Sequence, residues 1–150
     1  MMKKTVLLVL FLFLLLCAWL PAEITLSERV RIDLVVFTWI EALQTENIDL
    51  YAETYWPDVV HTSHHPNGEV NEVFRGRKAL LDAQSAAFRQ SDGFADISYS
   101  DPDRDFATDA DRPVYTIVGR LGEVVWEDMF RLEKRGSQWR IIEHVFILLP

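Results

Sequence analysis

Cysteine is almost missing from this chain: the single copy, Cys17, sits inside the N-terminal apolar run, and Glu23 to Pro150 has no thiol at all. That excludes a disulfide framework and cysteine-ligated zinc, so stability has to come from packing. Glycine and proline are scarce, six of each in 150 residues, and they never cluster. With no Pro/Gly linker, repeat or low-complexity tract, the chain after residue 22 is one domain of ordinary size. Positive charge is also short, with 15 Lys and Arg against 23 Asp and Glu, a formal charge of −8. Setting aside Lys3 and Lys4 takes the remainder to −10. Nucleic acid and anionic membrane surfaces demand a basic face, so neither is expected as a partner.

Long apolar runs are confined to one place. Lys3 and Lys4 precede Val6 to Leu20, and Pro21-Ala22 closes the run before Glu23. A charged start and about fifteen apolar residues have the proportions of a secretory signal, and are short for a hydrocarbon core of about 30 Å. Residues 1–22 are therefore read as a signal peptide or N-terminal membrane anchor, with 23–150 the folded domain. Cleavage after Ala22 or Ala18, retention as an anchor through residues 5–20, and lipidation at Cys17 stay open. Each of them exports the domain to the periplasm or the outside. A membrane is a partner only if the segment stays attached.

Thr25 with Glu28 three residues on matches a capping box. Ile32, Val35, Val36, Trp39, Ile40 and Leu43 then recur at helical spacing. A second helix is expected from Ile48 to Tyr55, with Asn47 as N-cap and Trp56-Pro57 as the stop. Val59 to Ser63 reads as a strand, His65-Pro66-Asn67-Gly68 as a turn, Glu69 to Phe74 as a strand and Arg77 to Gln90 as a third helix. Beyond these, Phe94 to Tyr99, Val114 to Leu121, Glu123 to Lys134 and Gln138 to Leu149 are strands. Helices first and hairpins after predict an α+β domain, with three N-terminal helices packed on one face of a curved mixed or antiparallel sheet.

The strands carry the chemistry. Trp126, Asp128, Phe130 and Leu132 share one face, as do Ile142, His144, Phe146 and Leu148, and as do Val59, His61 and Ser63. Asp128 and His144 are thus polar exceptions on apolar stripes. If the three stripes face the helices, His61, Ser63, Asp128 and His144 line one cavity. A carboxyl among apolar side chains is pushed up and a buried imidazole down, both toward neutrality and acid–base work. Asp128, His61 and His144 are the catalytic candidates. The plainer alternative, a buried carboxylate and a core histidine held by fixed partners, stays open. Trp39, Tyr55, Ser63, Tyr115, Trp126 and Phe146 are expected to line the pocket, which suits a small apolar or ring-shaped molecule, although aromatics at this spacing also serve as core.

Metal sites are not expected. His61, His64 and His65 lie close in sequence, but alternating strand side chains diverge. The run Asp101 to Arg112 imitates a calcium loop and fails where Phe106 replaces the required glycine and Arg112 the bidentate glutamate. No cofactor motif is present.

The order Glu41-Ala42-Leu43-Gln44, Asp49-Leu50-Tyr51, Tyr55-Trp56-Pro57-Asp58-Val59-Val60, Phe74-Arg75-Gly76-Arg77-Lys78-Ala79-Leu80, Glu127 to Leu132 and Gln138 to His144 resembles the nuclear transport factor 2-like superfamily. The superfamily includes ketosteroid isomerase, the SnoaL-like cyclases and scytalone dehydratase. The resemblance implies a cone of helices over a curved sheet, the cystatin-like fold, with a pocket. It places Asp128 where ketosteroid isomerases have an oxyanion-binding acid, but Ser63 at that family's base and Trp39 at its tyrosine. Steroid isomerisation itself is therefore not expected. Small-molecule binding, with isomerase, dehydratase or cyclase-type proton chemistry, is the first functional expectation. A non-catalytic module that forms a homodimer through the outer sheet face, using Trp139, Ile141 and Val145, is the second.

Overall fold

In the computed structural model the described residues are Ile24–Gln90 and Gly93–Pro150. The signal or anchor expected over residues 1–22 lies outside them. No helix among the described residues is long and apolar enough to cross a membrane.

Helix α1 (Leu26–Gln44) starts where the Thr25 side chain accepts from the Glu28 amide, and it buries Ile32, Val36, Trp39, Ala42 and Leu43. The Glu28 carboxylate departs from a full capping box by pairing with Lys134 across the fold. Helix α2 (Ile48–Glu53) is capped by the Asn47 side chain, which accepts from Leu50. It ends before the expected Tyr55, because Tyr55 is already the first residue of strand β1 (Tyr55–His64). Trp56-Pro57 therefore lies inside a strand. The register between β1 and its neighbour shifts between Tyr55 and Val60, and an irregular stretch of that kind tolerates a proline that cannot donate to the ladder.

Strand β2 (Val70–Arg75) returns antiparallel to β1, and helix α3 (Arg77–Gln90) follows. Phe94–Asp96, expected as strand, is a single 3₁₀ turn, leaving only Ser98–Tyr99 as β3. Within the acidic run, Asp103–Asp105 forms β4 against β5 (Val114–Leu121), while Asp105 and Asp109 spend a carboxylate oxygen each on nearby backbone amides. Strands β6 (Val124–Arg135) and β7 (Gln138–Leu148) complete the sheet, in the order β2-β1-β7-β6-β5-β3 with β4 also on β5. The pair β1–β7 is parallel and every other pair antiparallel, so the sheet is mixed.

A bulge resets the face of β7. Arg131 pairs with Glu143 but Leu132 pairs with Ile141, which leaves Ile142 as an extra residue. Trp139 and Ile141 consequently face inward, at 7% and 0% exposure, and belong to the core with Ile32, Val36 and Phe130. This corrects the expectation of an outer face built on Trp139, Ile141 and Val145: a strict alternation of two fails across one inserted residue. The same bulge keeps His144 pointing inward alongside Ile141.

Candidate functional site

Three strands deliver three polar side chains to one point. His61 and His144 are directly opposed across the parallel β1–β7 pair, and His144 is opposed by Phe130 across β7–β6, two residues from Asp128 on the same face. His144 Nε2 lies 2.8 Å from Asp128 Oδ1, and its Nδ1 lies 3.1 Å from His61 Nδ1 and 2.9 Å from Tyr55 Oη. Asp128 and His144 are almost fully buried, at 1% and 2% exposure, while His61 is half-buried. The sequence candidates His61, Asp128 and His144 therefore come together in one hydrogen-bonded chain.

A ring of aromatic donors fixes that chain. Trp126 Nε1 donates to Asp128 Oδ2 at 2.8 Å, and Trp39 Nε1 donates to Tyr55 Oη at 2.7 Å. Tyr55 in turn lies 3.1 Å from Tyr51 Oη as donor. His144 is clasped by the Trp39 and Phe130 rings, with centroids 5.4 and 4.6 Å away. Buried donors and acceptors without partners cost about 1–3 kcal/mol each, so this pairing is what makes so polar a group tolerable inside a core.

Burial dominates the electrostatics. It raises Asp128 to about 7, against the lowering effect of the Trp126 hydrogen bond, and it lowers His61 and His144 to about 3. His61 is lowered further by His144. The tyrosine hydroxyls of Tyr51, Tyr55 and Tyr99 are pushed up by the same desolvation and stay neutral. Burial thus favours the uncharged form of both partners in the close Asp128–His144 contact.

The protons on this chain have two self-consistent placements. With Asp128 ionised, its two oxygens accept from Trp126 and from His144 Nε2–H, so His144 Nδ1 is a bare acceptor. Tyr55 can send its proton to Tyr51, and His61 Nδ1–H then donates to His144, leaving a lone pair on His61 Nε2. One added proton, taken up at His61 Nε2, can be passed on by switching both imidazole tautomers and come to rest on Asp128. Neither state contains an imidazolium. The chain is a base whose proton is stored two residues away from where it enters.

His61 Nε2 has no hydrogen-bond partner among the described residues, and His61 lines a cavity of about 320 Å³. Trp39, Trp126 and Phe146 line it as expected, together with Tyr51, Gln84 and Tyr99 and the apolar Leu43, Leu121 and Val124. Three expected lining residues are placed elsewhere. Tyr55 stands fully buried behind His144 as its hydrogen-bond partner. Ser63 is buried beside Phe146, two steps beyond His61 on β1, and does not reach the cavity. Tyr115 is the cross-strand neighbour of Phe130 and lies under the Arg104 guanidinium, with Phe130 between it and His144. Tyr51, Gln84 and Tyr99 are polar lining residues, and Leu43, Phe94, Ile97, Leu121 and Val124 apolar ones, that the sequence pattern did not mark. A larger depression of about 640 Å³ near Ile24 and Trp139 is charged and apolar by turns, and four of its charged residues pair as Glu28–Lys134 and Arg112–Glu133.

His64 and His65 do not join His61. His64 is turned to the Gly68 carbonyl, and His65 is exposed. Among the described residues no group of three His, Cys, Asp or Glu side chains is placed to hold a metal ion.

No family model matches the chain, and no curated protein resembles it in sequence. Solved structures do resemble it in shape. An NTF2-like protein of unknown function from Methylobacillus flagellatus KT superposes with a TM-score of 0.69 at 13% identity, covering 87% of this chain and 98% of that one. Another, from Shewanella baltica OS155, gives 0.68 at 12% identity, over 86% and 99%. A cystatin-like fold protein from Burkholderia xenovorans LB400 gives 0.63 at 14% identity, over 80% and 90%. With its element order, mixed sheet and helix layer, the chain has the NTF2-like, cystatin-like fold.

Proposed function

We propose that this domain binds a small apolar or ring-shaped molecule in the cavity between Trp39 and Trp126 and transfers a proton on it without a cofactor. His61 Nε2 is the group that meets the ligand, and His144 and Asp128 relay and store the proton. The observation that carries this reading is that the hydrogen-bonded His61–His144–Asp128 chain lines an apolar cavity and leaves one nitrogen, on His61, without a partner among the described residues. At about 320 Å³ the cavity lies at the small end of ligand sites. Isomerase, dehydratase or cyclase-type chemistry fits a neutral base of this kind. Steroid isomerisation does not, since Ser63 and Trp39 stand where the base and tyrosine would be needed. The N-terminal Lys3-Lys4 and Val6–Leu20 pattern supports an exported setting.

The test is mass spectrometry of small molecules retained by the full chain, followed by turnover assays on whatever is retained. Filling the cavity with Leu121→Trp is expected to abolish retention. His61→Gln is expected to keep retention and lose turnover by the 10²- to 10⁴-fold typical of a general base. Activity should rise with pH through about 7, as Asp128 gives up its proton. Retention that ignores Leu121→Trp would remove the cavity from the account, and turnover that ignores His61→Gln would remove the chemistry.

A further inference from the structure

Helix α1 has two apolar stripes, and the core uses only one of them. Ile32, Val36, Trp39 and Leu43 face inward. On the opposite side Leu26, Val30, Leu34 and Phe37 recur at helical spacing, with Leu26 79% exposed and the other three about half. Apolar residues exposed singly are ordinary, whereas four in one row on one helix form a patch. At these exposures nothing among the described residues covers the row.

The charges beside the row do not oppose an apolar surface. In the first three turns the acids of α1 are neutralised within the fold, Glu28 by Lys134 and Asp33 by Arg104, and Arg31 is exposed. The exposed acids Glu41 and Glu46 come only near and past the far end of the helix.

The chain enters α1 from a fixed point. Ile24 is buried and its carbonyl accepts from Arg29 Nε at 3.3 Å, so the fold holds the chain two residues before Leu26. The apolar run Val6–Leu20 ends four residues before Ile24. Four residues reach at most about 14 Å, and the headgroup layer of a bilayer is itself roughly 5–8 Å thick. The run is also short for a hydrocarbon core of about 30 Å, a mismatch met by local thinning of the bilayer and by flanking residues that reach in. With that run in a bilayer, the start of α1 is held at the membrane surface.

Four partly exposed side chains do not by themselves supply the roughly 800 Å² per partner of a stable dimer. An interfacial helix asks less, since it carries only one apolar face about 5–10 Å into the headgroup boundary. A domain with an excess of acids is not held there by anionic lipid, so the attachment is apolar.

We propose that residues 1–22 stay attached as an anchor and that the outer face of α1 lies on the lipid bilayer, with Leu26, Val30, Leu34 and Phe37 in the interface. This rests on the exported setting and is independent of what the cavity binds.

The full chain with Cys17→Ser can carry one environment-sensitive fluorophore, on Val30→Cys or on Val73→Cys, an exposed position on the sheet face turned away from the helices. In phosphatidylcholine vesicles the label at position 30 is expected to shift to the blue and to be quenched when the acyl chains are brominated. The label at position 73 is expected to do neither. Adding Leu26→Glu and Leu34→Glu should abolish the shift and the quenching at position 30 while the protein stays on the vesicles through residues 1–22. Both positions are exposed, so the far-ultraviolet spectrum of that variant in detergent should match its parent.

A label at position 30 that ignores brominated lipid overturns the proposal, and if it is blue-shifted and cross-links between chains, a second copy covers the row instead. Recovery of the exported chain at a mass lacking residues 1–22 also overturns it, and leaves the exported setting standing. A chain found only in the cytoplasm removes the exported setting and the proposal together. The cavity reading is untouched by each of these results.

Discussion

Trp126 reaches along its own strand to hold Asp128: the indole Nε1 donates to Oδ2 at 2.8 Å, two residues on and on the same face. The indole can lie flat enough to do so only because position 119, its cross-strand partner, is glycine. A Cβ built on Gly119 would overlap the indole Cζ2 and Nε1 at 2.5 Å. Gly119→Ala is therefore expected to displace Trp126 and cost about 1–3 kcal/mol, the usual range for overpacking. Urea unfolding measures the loss. Combining it with Trp126→Phe should recover part of it, and strictly additive losses would show that the two positions do not compete for the same space.

Asp128→Asn separates the stored proton from the fold. An asparagine oxygen can still accept from Trp126 while its NH₂ donates to His144 Nε2, which mimics the protonated acid. His144 then carries its proton on Nδ1 and donates toward His61, whose own proton is forced onto Nε2. The variant should be folded and inert, and nitrogen NMR of the imidazoles should find His61 as the Nε2–H tautomer at every pH above 5. A His61 that keeps a bare Nε2 in Asp128→Asn would refute the relay.

Stability against pH follows from the same three groups with opposite signs. Asp128 is raised from its usual value to about 7, so its contribution is present at low pH and is lost as the pH rises through 7. His61 and His144 are lowered to about 3, so theirs is present above about 6.5 and is lost as the pH falls. Between pH 4 and 6.5 two histidine protons outweigh one carboxyl proton, and acidification should destabilise the protein. Asp128→Asn removes the opposing contribution, so its stability should fall more steeply over the same interval. Thermal midpoints at half-unit steps from pH 4 to 8 test this, and a shallower slope in the variant would contradict the assignment.

Tyr55→Phe addresses whether the aromatic ring of donors is structural. It strands the Trp39 N–H, and it removes one of the two groups that meet His144 Nδ1. A loss of about 1–3 kcal/mol is expected, because a buried donor is left without an acceptor. Equilibrium denaturation with an unchanged m-value would attribute the loss to the native state, whereas a loss under a few tenths of a kcal/mol would mean that Trp39 finds another acceptor.

What could be seen in the sequence depended on range. Asp128 and His144 stand out because a polar residue interrupting a period-two apolar stripe is a local signal, and α1 and α2 begin at side-chain caps that act within three residues. Gly119 had a signal as well, since an isolated glycine inside a strand marks a close approach. Tyr99 had none: its strand is two residues long and follows a 3₁₀ turn, too short for any periodicity. The parallel pairing that brings His61 against His144 joins residues more than eighty positions apart, and register at that distance is set by the packed core, which no local window contains.

The bulge at Ile142 offers the sharpest separation between local pattern and folded structure. Strict alternation puts Ile142 on the face of His144, yet the pairing of Leu132 with Ile141 puts Ile141 there instead, fully buried, with Ile142 only partly so. Ile141→Ala should then cost about 2–5 kcal/mol, the range for a large aliphatic removed from a core. Ile142→Ala should cost well under that, since less of its side chain leaves water on folding. Urea denaturation of the two single variants decides it. If Ile142→Ala proves the costlier substitution, β7 runs without the inserted residue, Ile142 and not Ile141 shares the face of His144, and Trp139 and Ile141 leave the core.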